Sequence, residues 1–172
     1  MKKLFTLFVV ALCALSVWAY DFKVDGICYD IWTEDMAPRS IVTNNEVVVT
    51  YSSTTNNYPY LTTTTIPETV TYNGITYTVV GIWNSAFANC SSLKSIVIPN
   101  SVNMIGEKAF YNTALTTIHL SKFVRVLYPS AFENCKSLNS VNIECENLIS
   151  YGEIFSGCTA LESVVWNVKK NG

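Results

Sequence analysis

Short alternations of apolar and polar residues recur along the second half of the chain. Ile96 and Ile98, Ile118 and Leu120, Val141 and Ile143, and Val164 and Trp166 are each separated by one residue. A period of two predicts short strands with one face buried and the other wet. Ahead of each strand stands a phenylalanine in a matching context, and Phe87, Phe110, Phe132 and Phe155 recur at intervals of 23, 22 and 23 residues. A leucine follows each (Leu93, Leu115, Leu138, Leu161), and the shorter interval reflects one residue missing between Thr113 and Leu115. A returning limb between strand and next phenylalanine carries Val102 and Ile105, then Val124 and Leu127, and weakens to Asn147, Leu148 and Ser150 in the third copy. No single unit of this size buries its own apolar face, so the pattern predicts a mainly β solenoid of stacked coils of about 23 residues, one short strand per coil.

The repeat begins earlier than its phenylalanine. Ile66-Pro67-Glu68-Thr69-Val70 resembles Ile98-Pro99-Asn100-Ser101-Val102, with nine extra residues before Ile82, the counterpart of Ile105. The insertion holds Asn73-Gly74 between β-forming residues, which predicts a hairpin with a two-residue turn near 71–79, protruding from the first coil. Residues 20–65 lack the repeat. Asp25-Gly26 before Ile27–Trp32, and the run from Val47 to Tyr51, predict antiparallel strands that cap the first coil, and residues 66–172 form the repeat region.

Residues 1–19, with Lys2, Lys3, an apolar run from Leu4 and a small-residue finish at Ala19, read as a secretory signal peptide. The run is too short to span a bilayer, so no membrane span is expected after cleavage. Removing it leaves 11 − 2 = 9 basic against 13 acidic residues, a net charge of −4, with no basic cluster. Nucleic acid is therefore not an expected partner. Export permits disulfides, yet Cys28, Cys90, Cys135, Cys145 and Cys158 are odd in number and contain no CxxC. Cys90, Cys135 and Cys158 share one slot, three residues after the phenylalanine, and are expected to be buried thiols. Cys28 and Cys145 have no pairing legible from spacing. With His119 as the one histidine, neither a His-based triad nor a multi-His metal site is expected, and no enzymatic activity, metal or cofactor is predicted.

The repeats AFANCSSLKSIVIPNSVNMIGEK and AFENCKSLNSVNIECENLISYGE resemble the BspA-like (type 5) leucine-rich repeat family of secreted and surface bacterial proteins, of Bacteroides type. The resemblance implies a right-handed leucine-rich coil stack and a surface or secreted module that binds proteins, with some members adhesins for host matrix or cell-surface proteins. It carries no catalytic residues. The candidate ligand-facing positions come from the alternation itself: Val97, His119, Asn142 and Val165 between the buried pairs, flanked by Ser95, Thr117, Ser140 and Ser163. A carbohydrate-binding alternative rests on tyrosines, chiefly Tyr58 and Tyr60 in a Thr/Asn-rich loop, with Tyr51, Tyr72 and Tyr77 nearby. At the C-terminal end, Trp166 occupies an inward slot with no further limb to cover it. Either a longer repeat protein or self-association through this last rung is expected to cover the edge.

Overall fold

The computed structural model describes residues 20–33, 45–51, 62–145 and 147–166. Strands β1 (Phe22–Val24), β2 (Ile27–Ile31) and β3 (Glu46–Thr50) precede β4 (Thr63–Thr65), β5 (Thr69–Tyr72) and β6 (Ile75–Ile82). The repeats then alternate between two sides of the molecule through β7 (Ser95–Val97), β8 (Met104–Ile105), β9 (Thr117–Leu120), β10 (Val126–Leu127), β11 (Ser140–Ile143), β12 (Ile149–Ser150) and β13 (Ser163–Trp166). One side is a sheet in the order β1-β2-β3-β6-β8-β10-β12, with β5 beside β6. The other is the parallel sheet β9-β11-β13 and the pair β4-β7. Among the described residues all regular structure is β, and no helix is long and apolar enough to cross a membrane.

The core lies between these sides. Ile118, Leu120, Val141 and Ile143 enter it from one sheet, Ile82, Ile105 and Leu127 from the other, and all are buried. The four phenylalanines stack along its length, with ring centroids 5.4 Å apart for Phe87 and Phe110, 5.1 Å for Phe110 and Phe132, and 5.5 Å for Phe132 and Phe155. Phe110 and Phe132 thus have an aromatic ring above and below, which one repeat could not supply.

The turns that carry these rings satisfy their backbone by an alternating rule. In the first, the N–H groups of Ser85, Phe87 and Asn89 donate to Glu107, Ala109 and Tyr111 of the next repeat, while those of Ala86, Ala88 and Cys90 donate three residues back within their own turn. The second and third turns repeat the pattern, with Phe110 donating to Ala131 and Phe132 to Ile154. Buried donors are therefore paired without regular strand or helix. The geometry requires left-handed backbone two residues after each phenylalanine, where φ is 61° at Asn89, 55° at Asn112, 58° at Asn134 and 73° at Gly157. Asparagine and glycine tolerate that region best, which explains the slot's composition.

The cysteine slot adds a stitch between repeats. Cys135 Sγ donates to the Phe110 carbonyl at 3.1 Å, and Cys158 Sγ to the Phe132 carbonyl at 3.0 Å. Thr113, the departure in repeat two, is buried in the same slot with its hydroxyl 3.2 Å from Cys135 Sγ. A small side chain with a polar hydrogen serves the position, so Thr replaces Cys without breaking the stack. None of the five described cysteines forms a disulfide; four are buried and Cys158 is half-buried.

The N-terminal strands differ in one respect from a separate cap. β1, β2 and β3 run antiparallel, but β3 then pairs in parallel with β6, so they continue the larger sheet. Asn73-Gly74, with φ of 50° and 79°, turns β5 into β6. The far half of β6 pairs with β3 and β8, so the hairpin does not simply protrude: one arm is part of the sheet. The signal-peptide segment, 1–19, lies outside the described residues.

Truncating Phe110 or Phe132 to Ala is expected to cost about 3–5 kcal/mol, from lost burial and a residual cavity at a fully buried site. Chemical denaturation checks this, and His119→Ala, on an exposed side chain, serves as the near-neutral control.

Candidate functional site

Alternation in the short strands points one set of side chains away from the core. In the three-stranded sheet the paired residues His119, Asn142 and Val165 form one outward row, and Thr117, Ser140 and Ser163 form a second. On the neighbouring pair the same rows continue as Thr65 beside Val97 and Thr63 beside Ser95. Six of the eight predicted ligand-facing side chains are exposed, and Ser140 and Asn142 are half-buried. The row is interrupted between β7 and β9, where the repeats are joined instead through the Thr116 N–H and the Lys94 carbonyl. The interruption falls at the repeat that is one residue short.

Polar contacts run along the rows. The Asn142 amide lies 3.0 Å from His119 Nδ1, and Ser163 Oγ donates to Ser140 Oγ at 3.2 Å. Donation by the amide requires an unprotonated Nδ1, which puts the ring proton on Nε2, the nitrogen 3.9 Å from Glu144 Oε2. These contacts order the side chains of neighbouring strands. They do not form a nucleophile, base and orienting group, and among the described residues no three His, Cys, Asp or Glu side chains cluster to hold a metal.

The tyrosines divide differently. Tyr58 and Tyr60 lie outside the described residues. Tyr77 is buried and serves packing, whereas Tyr72 stacks on Phe22 with centroids 4.5 Å apart and stays exposed. Sequence reasoning missed a second outward surface, on the larger sheet. There Met104, Val126 and Ile149 align, and Tyr128 stacks with Tyr151 at 5.7 Å. Strands β8, β10 and β12 there are two residues long, so no alternation signalled which of their residues face outward. Trp32, Val48, Val80 and Met104 bury one end of this surface as a small second core, with Trp83 edge-on to Trp32.

The BspA type leucine-rich repeat region model matches residues 57–171 in six copies. The chain belongs to this family. No curated protein matches it. Solved structures share the fold. A leucine-rich repeat protein from Bacteroides capillosus is 23% identical with a TM-score of 0.64, covering 84% of this chain and 96% of that one. A Treponema pallidum leucine-rich repeat protein is 16% identical with a TM-score of 0.55, over 87% and 83% of the two chains. A leucine-rich cell surface protein from Faecalibacterium prausnitzii is 19% identical with a TM-score of 0.53, over 86% of this chain and 39% of that one. The family is one of repeat proteins, and no enzyme family is indicated.

Across the BspA-type repeats of this chain, the inward positions hold the same kinds of residue while the outward row changes from Val97 to His119 to Asn142 to Val165. The repeat fixes where each outward side chain stands and leaves its chemistry free to vary.

Burial governs the thiol and phenol chemistry. It pushes Cys158 up from 9.0 to about 11, with Cys135 adding to the effect, and Tyr29 up from 10.0 to about 12, with Asp25 adding to it. Unfolding restores the ordinary values, so the unfolded chain loses these protons first as pH rises. The contribution of these two groups is fully present below pH 9.0, declines between 9.0 and about 11 through Cys158, and declines further between 10.0 and about 12 through Tyr29. Thermal unfolding midpoints are expected to fall over this range, and Tyr29→Phe is expected to flatten the upper part of the decline.

Proposed function

We propose that this chain is an exported, non-enzymatic binding module that takes a protein ligand on the outward rows of its parallel strands. In this reading its units of about 23 residues close into right-handed coils, and residues 1–19 direct export to the cell surface or medium. The observation that carries it is the division of labour within β9 and β11: alternate residues enter the core, and the intervening ones face outward in ordered rows that β13 extends. Stacked repeats commonly present such extended surfaces to macromolecules. The rows mix aliphatic, hydroxyl, amide and imidazole groups, which suits a protein surface, and the chain's net negative charge disfavours nucleic acid. A host matrix or cell-surface protein is the proposed ligand class.

Binding of the full-length protein to a panel of immobilised matrix and cell-surface proteins tests the reading. Saturable binding is expected, weakened about tenfold or more when Val97→Lys and Asn142→Lys are combined, and unchanged by Ile149→Lys on the opposite sheet. Binding indifferent to the first pair would move the site elsewhere.

We also propose self-association through the last strand. Val164, Val165 and Trp166 are 47%, 44% and 53% exposed there, a cluster of apolar side chains on a strand whose outer edge has no partner among the described residues. Sedimentation is expected to show concentration-dependent association that Trp166→Lys weakens.

A further inference from the structure

A second concave site lies where the β1–β2 hairpin meets the first repeat. The pocket has a volume of about 260 Å³ and opens beside Thr65, the first residue of the outward row. Its polar lining is Asp25, Tyr29, Thr64, Thr65 and Thr69. Val24, Ile27 and Val70 supply an apolar wall. The Thr71 hydroxyl, also at the pocket, is engaged by Thr76 at 3.0 Å. Asp25 is the one charged group in the lining, held in the hairpin turn with φ of 49°. The walls are fixed to each other by an aromatic cluster, since Phe22 on β1 stacks on Tyr72 of β5 at 4.5 Å and on Tyr29 of β2 at 5.5 Å.

We propose that this pocket binds a single ring of a neutral saccharide. The lining selects that chemistry by three features. A carboxylate accepts hydrogen bonds from adjacent hydroxyls of one ring and repels phosphate, sulfate and sugar acids. Hydroxyl side chains donate and accept, matching a ligand whose hydroxyls do both. Val24 and Pro67, backed by the buried Ile27 and Val70, offer the C–H face of a ring an apolar contact. The volume lies below the range of about 300–1,000 Å³ that holds drug-sized ligands, so it fits one ring rather than an oligosaccharide. Tyr29 remains a neutral phenol at any physiological pH, because burial and Asp25 both oppose its ionisation. The site adjoins the end of one outward row through Thr65, and its binding of a saccharide does not depend on a protein ligand on the rows.

Amide chemical-shift titration of the full-length protein with glucose, galactose, mannose and their methyl glycosides tests the proposal. Saturable shifts centred on Asp25, Thr64 and Thr65 are expected, with dissociation constants on the order of millimolar. Asp25→Asn, chosen because asparagine tolerates the same backbone, is expected to weaken binding about tenfold, and Thr65→Val similarly. His119→Ala is expected to leave binding unchanged. Absence of saturable shifts at these residues for every neutral sugar up to about 10 mM would overturn the proposal. So would full affinity in Asp25→Asn, or tighter binding of an alkylamine or a sugar acid. Should a variant fail to fold, the wild-type shift map and ligand preference still decide.

Discussion

Every repeat depends on its neighbours to bury a phenylalanine and to pair the backbone that carries it. Phe87, Phe110 and Phe132 are fully buried, yet each sits in a turn whose outward-going N–H groups find acceptors only in the following repeat. Burial and backbone satisfaction are therefore supplied by the same contact. A turn detached from its neighbour exposes a large aromatic and leaves several donors unmatched, and neither loss can be repaired within about 23 residues. The left-handed asparagines and the thiol and hydroxyl stitches are consequences: they are the residues that let the turn adopt a shape in which donors face the next repeat.

That constraint separates structure from recognition. Inward residues, turn residues and the cysteine slot are committed to stacking, so variation collects on the outward rows. The two faces differ in how they are finished. The parallel strands β9 and β11 display polar side chains, with His119, Asn142 and Glu144 in an ordered contact, and β13 adds the exposed Val164, Val165 and Trp166. The larger sheet covers its apolar exterior near the N-terminus with Trp32 and Trp83, whereas Ile149 and Tyr151 farther along are about half exposed. The N-terminal hairpins add a corner that the repeats alone do not make, and the hydroxyl-lined pocket occupies it.

Much of this was legible in the residues because stacking repeats its demands. The recurrence of Phe87, Phe110, Phe132 and Phe155 identified the aromatic column, and alternation at Ile118–Leu120 and Val141–Ile143 identified which side chains enter the core. Asn73-Gly74 identified its own turn because few residue pairs accept two consecutive left-handed conformations. The two-residue strands of the opposite sheet were not legible, since two residues make no period. Nor was the parallel pairing of β3 with β6, which joins segments far apart in sequence with an irregular register near Val47 and Val48. The pocket is a product of that tertiary joining: Asp25 and Thr65 belong to segments with no shared motif. Tyr77 read as a display residue only while Phe22, which packs against it, was unplaced.

Native-state hydrogen exchange at the turn amides tests the dependence between repeats most directly. The Phe87, Phe110 and Phe132 amides, each donating to the next repeat, are predicted to open together with one free energy and one denaturant dependence, equal to those of global unfolding. Separate opening free energies for the three amides, each with a small denaturant dependence, would mean that repeats fold and unfold on their own and would contradict the account.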